Sequence, residues 1–235
     1  MPDYSQLNTE LLVATVEQLS KRVGERFPQA GLYKVSRHLC DTARESRQRI
    51  GAAGKRLIWI DVSIGLLIML LIAGIVMSAS QIKIQLQPGS VTWLEFIQVM
   101  ESGINDIIFV GAGIFFLVSL EGRIKRRRIL KALHELRSLA HVIDMHQLTK
   151  DPQRAAGVLI ATPSSPASEL SPDQLIRYLD YCSEMLSLVG KLAALYLQRS
   201  DDAVVLSTVD EIEGLTTGLS RKIWQKLMII HSGPK

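Results

Sequence analysis

Apolar residues recur at three- and four-residue steps in several stretches of this chain and run unbroken in two others. The stepped pattern marks amphipathic helices, which bury one face and solvate the other. Leu12, Val16, Leu19 and Val23 form the first such stripe, which stops at Phe27-Pro28. Leu32, Val35, Leu39, Ala43 and Ile50 form the second and lead into the first unbroken run. Past the second run, Ile129, Leu133, Leu136, Ala140 and Ile143 resume the stepping. Ser171-Pro-Asp-Gln174 then reads as a helix start, with a capping serine, an early proline and an amide three residues on. Behind it Leu175, Leu179, Cys182, Leu186, Val189, Ala193 and Tyr196 make a heptad seam. Val205, Val209, Ile212, Leu215, Leu219, Ile223, Leu227 and Ile230 repeat it from about Asp201 onward. Two seams joined by a short polar link predict an antiparallel pair, although copies of the chain would satisfy the same periodicity. No useful stretch alternates like a strand. The predicted class is all-α.

The unbroken runs have no polar face to turn to water. Val62 to Ala79 is 18 residues without a charge, and starting at Leu57 makes a span of 23. At ~1.5 Å per residue that covers about 35 Å, enough for a hydrocarbon core of roughly 30 Å. Ile107 to Leu120 is shorter, 14 residues, and reaches crossing length when extended back to Gly103. Trp59 and Trp93 fall where interfacial aromatic rings are expected. Pro88-Gly89 predicts a turn, and Thr92-Trp-Leu-Glu95 a capping box opening the second helix. No proline follows until Pro152, so one helix is expected to run from that point far beyond the second span.

Charge decides the orientation. Arg44, Arg47, Arg49, Lys55 and Arg56 precede the first run; Arg123, Lys125, Arg126, Arg127, Arg128 and Lys131 follow the second. Between Ser80 and Asp106 the only basic residue is Lys83. The positive-inside rule then predicts a transmembrane hairpin with both termini cytoplasmic. The expected domains are cytoplasmic helices at 1–56, the hairpin at 57–120 with an external loop about 80–103, a helical extension at 121–148, a linker at 149–171 and a helix pair at 172–235. The linker holds Pro152, Pro163 and Pro166, and its apolar run Val158–Ala161 is expected to pack on the bundle or to receive a partner.

Composition agrees with a few spans attached to a water-soluble part. Of 235 residues 47% are hydrophobic, with a net charge of +4 and a mean hydropathy of +0.19. The first forty residues lack a cleavable signal pattern, so the first run is expected to act as its own insertion signal. Cys40 and Cys182, on apolar faces of cytoplasmic segments, are expected to be reduced core thiols.

Candidate chemistry is sparse. His134, His141 and Asp144 share one helix face with His146 nearby, yet no second ligand cluster accompanies them, so surface histidines are the expectation and no metal is assigned. Asp61, Asn105 and Asp106 are polar groups at or near membrane depth, either interfacial or, in an oligomer, lining a pore. Gly74-x-x-x-Ser78 and Gly111-Ala-Gly113 permit close helix approach. The basic cluster Arg123, Lys125, Arg126, Arg127 and Arg128 suits anionic headgroups as well as topology. Its position beside the membrane argues against nucleic acid. No phosphate-binding loop, nucleophile elbow, metalloprotease motif or paired cysteine motif occurs, so neither an enzyme nor a cofactor is expected.

Three segments, residues 136–152 (LRSLAHVIDMHQLTKDP), 178–196 (YLDYCSEMLSLVGKLAALY) and 215–228 (LTTGLSRKIWQKLM), resemble an uncharacterised family of bacterial two-span inner-membrane proteins. The likeness covers the second span and everything after it. It implies a bacterial inner membrane and a helical cytoplasmic domain, and it carries no catalytic residues. The order of cytoplasmic helices, two spans and a further long helix is also similar to SLATT-type defence effectors, in layout alone. The function expected is a non-enzymatic membrane-anchored scaffold or regulatory module, binding a cytoplasmic protein or itself. The alternative is a homo-oligomeric ion channel or pore-forming effector.

Overall fold

The computed structural model describes residues 7–53, 58–85, 93–155, 162–164 and 170–231. All regular elements among them are helices: α1 (Thr9–Arg26), α2 (Gly31–Ala53), α3 (Ile58–Gln85), α4 (Trp93–Leu148), α5 (Pro152–Ala155), α6 (Pro172–Ala194) and α7 (Ala203–His231), with a 3-10 turn at Leu195–Arg199. The chain divides into two compact units, Lys55–Arg127 on the one hand and Met1–Gly54 with Arg128–Lys235 on the other.

The second of these is a helical bundle, and its elements start and stop for local reasons. Asn8 caps α1 by accepting from the amides of Glu10 and Leu11, and the helix ends at Phe27, ahead of Pro28. Ser171 and Gln174 form a reciprocal capping box at α6, with Pro172 in the first turn. Asp202 caps α7, its carboxylate accepting from Val204 and Val205. α6 lies at the centre. It packs on α7, α1 and α2, and Leu179, Cys182, Met185, Leu186, Val189 and Leu192 along it are fully buried. The residues of α4 from Ile129 to Ile143 bury the stripe expected of them. Two ion pairs tie this stretch to its neighbours, Arg49–Glu135 at 2.9 Å to α2 and Arg137–Glu211 at 3.1 Å to α7. Every stripe residue expected in α1 and α2 is buried too. In α7 the match is closer to a core than to a strict seam: Thr216 is buried, whereas Leu215 is only partly so. Gly190 explains the exchange, because a Cβ there would stand 3.1 Å from the Thr216 hydroxyl. α6 and α7 meet closely at that level, and a small pair fits where Leu215 would not.

The unit 55–127 differs in every respect. α3 spans 28 residues, and α4 enters at Trp93 as part of a 56-residue helix. α3 continues past the end expected near residue 80, whereas α4 begins where the Thr92-Trp-Leu-Glu95 pattern placed the start of the second helix. Nothing between Ser80 and Gln85 breaks a helix, so the pattern of charge had suggested an end that the backbone does not need. The Pro88-Gly89 turn and Thr92 lie outside the described residues. Among the described residues one stretch, Gly103–Arg154, is long and apolar enough to cross a membrane, and none of its apolar window is buried. Ile58–Gly74 in α3 is a shorter apolar helix by the same measure. The two meet at Gly113, where a Cβ would come within 3.3 Å of Leu67.

Candidate functional surfaces

Each unit presents a surface of its own. In the unit 55–127 it is hydrocarbon: Ile58, Phe109 and Phe115 are each about three-quarters exposed, at 77%, 77% and 76%. Trp93 is 80% exposed and Trp59 47%. Of the three polar residues expected at membrane depth, Asp61 and Asn105 are exposed and Asp106 is half-buried. At the end of the apolar stretch α4 carries the basic residues, with Arg123, Arg127 and Arg128 exposed and Lys125 paired to Glu121 at 2.7 Å. Along α4 the exposed apolar stretch is thus followed directly by a run of basic residues.

In the bundle, α1 and α7 stand apart over α6 and leave a groove of about 770 Å³ between them. Its floor and walls mix Leu12, Leu19 and Leu188 with Arg22, Glu184 and Trp224. Arg22 is engaged, pairing with Glu184 at 3.0 Å and stacking over Tyr181 at 5.3 Å. The Lys191 ammonium donates to the Ser187 hydroxyl at 2.6 Å, the pairing a Ser–Lys hydrolase uses. Here both groups are exposed. The pair reads as an i,i+4 contact on a helix face. Trp224 on the groove wall is 63% exposed.

Sequence reasoning missed a polar junction at the C-terminus of α4. The last carbonyls of a helix lack partners within it. Lys226 of α7 supplies a cation there, donating to the Gln147 carbonyl in the last turn at 2.6 Å and to the carbonyl of Lys150, two residues beyond the helix, at 3.1 Å. Burial lowers the Lys226 pKa, against the pull of Asp144 and Asp151. Lys150 in turn lies over the Tyr178 ring at 5.1 Å, and burial raises the Tyr178 pKa. No motif announces such a cap, because donor and acceptors are almost eighty positions apart.

The histidines do not converge. His134 and His141 are exposed, and Asp144 accepts from the Gln147 side chain instead. His146 packs on the first turn of α2, where a Cβ on Gly31 would meet its ring at 2.5 Å; burial and then Lys150 lower its pKa. Among the described residues no group of three or more potential ligands could hold a metal ion. Both cysteines are free and buried. Burial pushes the Cys182 thiol up to about 12 and raises that of Cys40 as well, which makes both poor nucleophiles.

The fold defines a class, a helical bundle joined to an apolar helical unit, and goes no further. No protein-family profile matches the chain, no curated protein matches it, and no solved structure matches it. The family resemblance of residues 136–152, 178–196 and 215–228 therefore rests on those residues alone.

Proposed function

We propose that this chain is an inner-membrane protein that crosses the bilayer twice, keeps both termini in the cytoplasm, and uses its bundle as a non-enzymatic scaffold or regulatory module. One observation carries the reading: most of the large apolar side chains described in unit 55–127 are exposed, whereas the bundle gathers most of its own into one buried core. Each such side chain left in water forgoes about 1.5–3 kcal/mol of burial, so the surface calls for a hydrocarbon environment. The basic residues flanking both apolar helices, with Lys83 alone between them, support the orientation. The bundle is the part left to engage a partner or another copy, and its internal seams are already covered. Engagement therefore falls to its outer faces. The channel reading gains only the exposure of Asn105 and half-burial of Asp106, and it is not carried further.

The test is topological. Reporter fusions after Lys235 and within residues 86–92 should report opposite sides of the membrane, and the chain should resist alkaline extraction. Release into the alkaline supernatant, or both reporters on one side, would overturn the proposal.

A further inference from the structure

We draw no further inference here: the strongest candidate, the groove over α6 between α1 and α7 with the arginine-lined cleft of Arg22, Arg26 and Arg177 beside it, mixes apolar residues with charges already paired to Glu184 and Asp180, and nothing in the structure shows what covers it.

Discussion

The two halves of α4 make the sharpest contrast in this molecule. From Ile107 the helix is apolar on every side, and none of the apolar window is buried; from Ile129 it alternates and buries one stripe completely. Both halves are hydrophobic. Periodicity, and not hydrophobicity, separates a helix that makes a core with its neighbours from one that leaves its apolar side chains exposed. A stripe leaves a polar face able to hold ion pairs such as Arg49–Glu135, while a helix without one offers its neighbours nothing but contact at a few small residues such as Gly113.

The largest expected effect breaks the contrast at its strongest point. Leu186→Ala, at a fully buried position of α6, should cost the bundle about 2–5 kcal/mol. Phe115→Ala in the apolar unit should leave bundle stability within about 0.5 kcal/mol. Hydrogen exchange of the α6 amides, measured on the full chain, distinguishes them; equal losses would mean that the two units share one core. Next comes the cap on α4. Lys226→Met should cost about 1 kcal/mol, since charged hydrogen bonds worth roughly 1.5–3 kcal/mol are lost while the expense of burying the ammonium is also removed. The loss should be confined to amide protection near residues 147–150.

Acid provides a smaller, directional probe. His146 has a folded pKa lowered from 6.5, so the unfolded chain binds the proton more readily. Its unfavourable contribution is absent well above pH 6.5 and accumulates as the pH falls from there through the folded value. Denaturation midpoints measured downward from pH 7 should decline, and His146→Gln should flatten that decline; parallel profiles would exclude the site. The smallest effect compares two glycines. Gly214→Ala should raise stability by up to about 1 kcal/mol, because nothing lies near its Cβ. Gly190→Ala should lower it, since the Thr216 hydroxyl stands 3.1 Å away. Thermal melts of both variants are sufficient, and a common sign would show that the α6–α7 contact is looser than described.

Much of the fold could be read from residue order because helices announce themselves locally. The stripes of α1, α2, α4 and α6 are all buried where the three- and four-residue spacing put them, and the Ser171 box forms as its side chains require. The end of α3 was less legible, since polar residues near position 80 propagate a helix as readily as they leave one. Of the candidate site residues, His134 and His141 stand exposed while His146 packs against Gly31, a neighbour that a shared helix face could not name. The groove, exposed Trp224 and the Lys226 cap had no local signature at all.

The order of apolar and charged residues by itself determined where helices run, which faces are apolar, and which stretch has no water-compatible side. Those properties depend on neighbours within one or two turns. Only tertiary structure decided that α6 is central, that α1 and α7 leave a groove over it, and that Lys226 closes the end of α4. These facts depend on which helix stands beside which, and equivalent apolar stripes do not specify their partners. Close approaches such as Gly190 to Thr216 and Gly31 to His146 make that choice, through shape that no single segment contains.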